Sequence, residues 1–199
     1  AVQSYERLSG LYSNSVFAVY GMLAEGTLRV VHSNDLAKGE ARLKEVVVRA
    51  PEPRVAAEAW YQLGLLYFRT GRYPAGAHAF DQLLMHHRDD PRTRSARLPA
   101  AWTFHRAGRH SDALRLAEEA LAQPDEPQKD TWLYLAANCE RFLEKHEAAA
   151  TRYETLLTRF PSSPHAVRAA LERAMALFAA GRYAEAAVQC RAIDPSVPE

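Results

Sequence analysis

The chain repeats itself every 36 or 37 residues, and that period restricts the fold more than any single side chain does. Gly71 in YFRTGRYPAGAHAFDQLL, Gly108 in FHRAGRHSDALRLAEEAL, Glu144 in RFLEKHEAAATRYETLL and Gly181 in LFAAGRYAEAAVQC occupy one phase of it. A weaker copy lies upstream at Asn34 in VVHSNDLAKGEARLKEVV, so the steps run 37, 37, 36 and 37. A period of this size marks a solenoid of stacked helical pairs, in which a repeat buries its apolar face only against a neighbour. The expected body is therefore all-α and elongated.

Within each copy the pattern is helical. In residues 54–70, Trp60, Leu63, Leu66, Tyr67 and Thr70 recur at steps of three and four, with Glu58, Gln62 and Arg69 between them. Gly71 ends that helix because it enters the left-handed conformation cheaply. Pro74 falls in the first turn of the next helix, where no N–H is needed, and Ala77, Phe80, Leu83 and Leu84 form its inner stripe. The same reading of every copy predicts ten helices: 15–32 with 36–49, 54–70 with 73–87, 92–107 with 110–122, 128–143 with 146–159, and 163–180 with 183–192. Residues 1–12 are expected to form a partial helix or to fray. No segment alternates as a strand would.

Small residues and prolines support this layout. Pro51, Pro53, Pro91, Pro124, Pro127, Pro161, Pro164 and Pro195 fall between repeats, where a helix has to stop. Gly64, Ala101, Ala137 and Ala174 share one phase, and Gly76, Ala113, Ala149 and Ala186 another. A larger side chain at either phase would push apart the two helices of a pair.

Charge and composition exclude several classes of function. Lys and Arg number 25 against 24 Asp and Glu, so no global field favours nucleic acid or an anionic membrane. No apolar run approaches the roughly 20 residues that span a bilayer. Cys139 and Cys190 fall in helices of different repeats and are expected to be reduced and unpaired. The chain begins at Ala1 without Met and stops at PSVPE, so both ends read as boundaries of a processed or excised piece.

The second copy, with Trp60-x-x-Leu63-Gly64-x-x-Tyr67, Gly71-x-Tyr73 and Phe80, resembles the tetratricopeptide repeat (TPR). Pro91 follows as the repeat-ending proline, three residues late, and Gly76 stands where the family usually has alanine. Ala174, Gly181-Arg182-Tyr183 and Ala186 fit as well. The third copy has His110 in place of the aromatic, the fourth is degenerate at Glu144-Lys145-His146, and the first is weak throughout. The resemblance implies an all-α, right-handed superhelical solenoid of about five helix-turn-helix repeats over residues 15–192, with 1–14 as an N-terminal flank and 193–199 as a C-terminal tail. The stretch from Tyr153 through Phe160-Pro161 and Ser163-Pro164 to Ala166 resembles the FP-x-SP-x-A junction of bacterial cell-envelope TPR proteins. That likeness slightly favours a periplasmic or envelope setting over the cytoplasm, and the compartment otherwise stays open.

In this family the first helix of each pair lines the concave face. The resemblance then puts Tyr61, Leu65, Phe68 and Arg69 there, followed by Leu98, Trp102, His105 and Arg106, then Tyr134, Asn138, Arg141 and Phe142, with Leu171, Met175 and Phe178 from the fifth copy. Arg, Tyr and Trp are the side chains most often found as binding hot spots, and Arg can hold a carboxylate through two hydrogen bonds. The expected ligand is an extended or helical peptide with an acidic group and an apolar anchor. Packing of Phe68, Trp102 and Phe142 against the adjacent repeat stays open as the alternative. A clamp for a chain-terminal carboxylate is not expected, because Glu58, Ser95, Thr131 and Arg168 stand where a lysine is wanted.

No metal or cofactor is expected. His86 and His87 are adjacent and point to different helix faces, His105 and His110 flank a turn, no H-x-x-x-H occurs and no cysteine stands near. Six arginines between Arg88 and Arg109 read as the solvated rim of a repeat junction, since nucleic acid would call for a broader basic stripe. No nucleophile elbow, phosphate loop, zinc-protease or dinucleotide signature is present. The expected role is a non-catalytic scaffold or adaptor for protein partners, in a bacterial envelope complex, without nucleic acid or membrane insertion. Two other roles stay open: a module that self-associates through its ends, where Ala187, Val188 and Ile193 lack a following repeat, and a regulatory domain of a larger membrane or secretion protein.

Overall fold

The computed structural model describes residues 1–12, 15–33, 35–50 and 52–193. Over these residues the chain is helical throughout and has no strand. The helices are α1 (Val2–Leu11), α2 (Val16–Leu28), α3 (Leu36–Arg49), α4 (Pro53–Arg69), α5 (Tyr73–His86), α6 (Pro91–Arg106), α7 (His110–Leu121), α8 (Lys129–Phe142), α9 (His146–Arg159), α10 (Ala166–Ala179) and α11 (Tyr183–Ile193). The anchor Asn34, together with Pro51, Pro195 and the tail from residue 194, lies outside the described residues.

The phase that defines the repeat is a backbone closure. Gly71, Gly108 and Gly181 have φ of 71°, 80° and 78°, and Glu144 has φ of 60°. At each of these turns the next residue donates its N–H five positions back. Arg72 bonds Tyr67 O at 2.9 Å, Arg109 bonds Phe104 O at 2.8 Å, Lys145 bonds Glu140 O at 2.8 Å and Arg182 bonds Leu177 O at 2.9 Å. This bond is the Schellman closure, which satisfies a carbonyl left over at the helix end and reverses the chain.

The chain divides into two compact units, Ala1–Thr103 and Phe104–Glu199, with the division inside α6. In the first, α1 packs on α2, α2 on α3, α3 on α4 and α4 on α5. Its close approaches are set by glycine. A Cβ on Gly64 would lie 2.6 Å from the Phe80 ring, and one on Gly76 would lie 2.9 Å from Thr103 Cγ2. Gly39, 37 residues before Gly76, plays the same part in the first repeat: its Cβ would meet Val30 Cγ2 at 2.6 Å. Leu43, Leu63, Leu66, Phe80 and Leu83 fill the interior between these helices.

In the second unit, α7 packs on α8, α8 on α9, α9 on α10 and α10 on α11. Ala113, Ala137 and Ala149 are fully buried at the small-residue phases, and Ala174 and Ala186 are nearly so. Phe104, Leu135, Tyr153, Leu156 and Leu177 are the largest fully buried side chains around them.

Two elements differ from the sequence expectation, and the helix expected over 92–107 forms with a proline inside it. Residues 2–11 form a complete helix that packs on α2, with Leu8 Cδ2 3.2 Å from where a Cβ on Gly21 would sit. The helix expected over 15–32 is α-helical only to Leu28 and continues as a π-helical turn, Arg29–Ser33. Arg29 sits in that turn, buried, and its guanidinium reaches Glu25 at 2.8 Å, Asp35 at 2.6 Å and Glu6. Pro99 lies inside α6, where it removes the bond to the Ser95 carbonyl. One turn further on, Thr103 Oγ1 donates to Pro99 O at 2.6 Å.

Candidate functional site

In the first unit, Tyr61, Leu65 and Phe68 project from α4 and are half-buried, as is Trp102 on α6. Phe68 meets Tyr73 edge-on at 6.2 Å. Arg69, exposed at the end of α4, donates from Nη2 to Val30 O at 3.0 Å. It borders a shallow hollow with Val31, His32, Leu36 and Thr70.

In the second unit the expected set divides by depth. Tyr134 and Asn138 are buried in α8. Tyr134 stacks on His165 at 4.7 Å with the rings 4° apart. Asn138 Nδ2 donates to Tyr134 O at 2.9 Å, and Asn138 Oδ1 accepts from the Tyr153 hydroxyl at 3.1 Å, so both ends of the amide are engaged. These two residues lie beneath the face. At the surface stand Arg106, exposed, and Phe142, 52% exposed. Arg141 packs its guanidinium over the Phe142 ring at 4.7 Å and pairs through Nε with Glu172 at 3.0 Å.

The face continues along α10. Val167, Leu171, Met175 and Phe178 are between 48% and 75% exposed, and their spacing of four, four and three residues puts them on one side of the helix. Phe178 meets Tyr183 edge-on at 5.1 Å.

His105 and His110 do not stand alone, contrary to the sequence expectation that no cysteine lies near them. His105 Nδ1 is 3.2 Å from His110 Nδ1 and 3.5 Å from Cys139 Sγ, and the three ligand-capable atoms lie within 4.8 Å of one another. Phe142 covers the pair, stacked on His110 at 4.7 Å and edge-on to His105 at 5.3 Å. Burial, with His110, Arg106 and Arg141 nearby, pushes the His105 imidazole down to about 4. Burial likewise lowers His110, and burial beside Glu140 pushes the Cys139 thiol up to about 12. Both rings are therefore neutral near pH 7 and carry a lone pair each.

A register in the stack explains why sequence spacing hid this cluster. Thr131 Oγ1 lies 3.3 Å from His165 Nε2, and Glu58 pairs with Arg92, both 34 residues apart on successive first helices. His105 and Cys139 are also 34 apart. A residue on one first helix thus meets the position one turn before its own equivalent on the next. The motif rules for metal ligands look along one helix and miss it.

The model of the tetratricopeptide repeat family matches residues 23–92, 61–129 and 134–198. The chain belongs to the tetratricopeptide repeat family. No curated protein matches it. Among solved structures, a TPR protein from Parabacteroides merdae ATCC 43184 is similar with a TM-score of 0.67 at 12% identity, over 100% of this chain and 73% of that one. A Podosopora anserina protein of nearly identical TPR-like repeats gives 0.64 at 15% identity, over 90% and 96%. BtubC from P. vanneervenii gives 0.57 at 16% identity, over 100% and 90%. At these identities the likeness is one of fold. TPR folds serve in general as platforms for protein–protein contact, and a TPR fold of this kind supports that role here. No helix among the described residues is long and apolar enough to cross a membrane.

Proposed function

We propose that this TPR chain is a non-catalytic scaffold or adaptor that docks a peptide or protein segment on the first-helix face of its second unit. The observation that carries this reading is the apolar stripe Val167, Leu171, Met175 and Phe178 on α10, left in water together with the exposed ring of Phe142 on α8. Contiguous exposed apolar surface of this kind marks an interaction site more often than chance decoration. Its occupant is an amphipathic segment that lays its apolar side on α10, with an acidic group toward Arg106. Arg141 already holds Glu172, so an incoming carboxylate at that position has to compete with an internal one. In the first unit, Tyr61, Leu65, Phe68, Arg69 and Trp102 form a second candidate contact set. The FP-x-SP-x-A likeness supports a bacterial envelope complex as the setting.

A capture experiment from source cells tests this reading. The wild-type chain is compared with a Leu171→Ser/Met175→Ser/Phe178→Ser variant and with an Arg69→Ala/Arg106→Ala/Arg141→Ala variant, each shown folded by circular dichroism. The proposal expects a partner held by the wild type and lost by the serine variant, with weakened retention by the alanine variant. A partner held equally by all three removes the face from consideration.

One observation favours self-association as a second reading. Val188 on α11 is 59% exposed at the last described pair. Light scattering over a range of concentrations distinguishes a dimer through this end from a monomeric adaptor.

A further inference from the structure

The one constellation in the described second unit that the interaction role does not use is His105, His110 and Cys139. They come from three elements: the last turn of α6, the first residue of α7 and the last turn of α8. The connection between the two histidines is held by the positive φ of Gly108 and by the bond from Arg109 N to Phe104 O at 2.8 Å. Phe142 packs on both imidazoles and fixes the ring planes. Three ligand-bearing side chains are thus oriented by the surrounding fold.

The distances within the cluster suit a shared cation better than hydrogen bonds. His105 Nδ1 has either one lone pair or one proton, yet two partners approach it, at 3.2 Å and 3.5 Å. It cannot serve both well. In a tetrahedral zinc site with usual bond lengths, neighbouring nitrogens are about 3.3 Å apart, and nitrogen and sulfur about 3.6 Å. Two of the three separations match these edges within about 0.1 Å, and the third pair, His110 and Cys139, lies within 4.8 Å and has to draw in when an ion binds. Two imidazoles and a thiolate are also the donor set that a borderline-soft ion prefers over Mg²⁺ or Ca²⁺.

We propose that His105 Nδ1, His110 Nδ1 and Cys139 Sγ form a binding site for a divalent transition-metal ion of the zinc class. Binding breaks the Cys139 S–H bond, forms an S–metal bond and releases the proton to solvent. Three protein ligands leave the fourth position to water. The site ties α6, α7 and α8 together, so the ion acts as a clip across the start of the second unit. Of the two guanidinium groups that bear on His105, Arg141 pairs with Glu172, which offsets its repulsion of a cation, and Arg106 stands at the exposed surface, where solvent screens it. His110 and Phe142 reach solvent and give the ion a path inward.

Titration of the reduced, metal-stripped chain with Co²⁺ and Zn²⁺ tests the proposal. The expected result is one equivalent of Co²⁺ bound with a thiolate-to-cobalt charge-transfer band, displacement by Zn²⁺, and a rise in melting temperature with Zn²⁺. His110→Ala, whose side chain is only half-buried, and Cys139→Ala should each weaken binding by more than about 100-fold, beyond the loss that follows when only a group supporting a ligand is changed. Cys190→Ser and His86→Ala should leave band and affinity unchanged. Absence of the charge-transfer band in the reduced wild type would overturn the proposal, leaving a hydrogen-bonded His–His–Cys cluster. So would a band that survives Cys139→Ala or is lost with Cys190→Ser. Circular dichroism separates loss of ligand from loss of fold. Binding of partner segments is read separately, so failure of the metal site leaves the docking face untouched.

Discussion

Glu144 holds φ of 60° at the turn where three other repeats place glycine. An L-residue in that region carries a penalty of about 1–2 kcal/mol from its Cβ, part of which glycine gives back through its freer unfolded chain. Glu144→Gly should therefore stabilise the protein by about 1 kcal/mol, read as a higher denaturation midpoint at unchanged slope. Gly64 is the opposite case. It lies mid-helix, where alanine is the better helix former by roughly 1 kcal/mol, but a Cβ there would lie 2.6 Å from the fully buried Phe80 ring. Overpacking of this kind costs about 1–3 kcal/mol, so Gly64→Ala should lower stability, whereas adding Phe80→Leu should recover part of the loss. Both positions were legible in the sequence, because turn chemistry and close approach each demand one residue type at one phase. Gly39 was just as legible, standing 37 residues before Gly76, yet the weak motif around it masked the packing phase.

At the scale of elements, the helical pairs were readable because apolar spacing reports on the neighbour each face meets. The exceptions have physical causes outside that spacing. The π-helical turn after α2 accompanies the burial of Arg29 among Glu6, Glu25 and Asp35, of which only Glu25, four residues before it, is placed there by local helical spacing. The His105–Cys139 contact follows a 34-residue register that appears only when first helices are stacked. Tyr134 and Asn138 share the face phase, but the stacking of His165 and the hydroxyl of Tyr153 draw them inward. Contacts between elements also set a pH dependence. Glu40 on α3 accepts from Tyr67 at 2.8 Å on α4, from Arg72 at 2.7 Å beyond it, and from Lys44 at 2.8 Å. Burial opposes its ionisation, but these hydrogen bonds outweigh burial and hold the carboxyl at about 2, below its ordinary 4.5. A depressed folded-state value means stability that is fully present above about 4.5 and lost as pH falls toward about 2. Melting temperature should fall across that window in the wild type and fall less in Glu40→Gln.

At the scale of the whole molecule, the family was readable from period and punctuation, whereas the occupant of its face was not. Repetition encodes how a unit meets the next copy of itself, and that partner is written in the same chain. A foreign partner leaves only side chains that the fold does not cover. Among those here are Phe142 and the α10 stripe, and the central claim is that they are covered in the complex. Site-specific photo-crosslinking in the source cell tests it most directly, with the reactive group placed at Met175 and, as comparison, at exposed Thr158 on α9. The account predicts a discrete adduct from position 175 that is absent from position 158. Adducts from 158 alone, or equally from both, would contradict it.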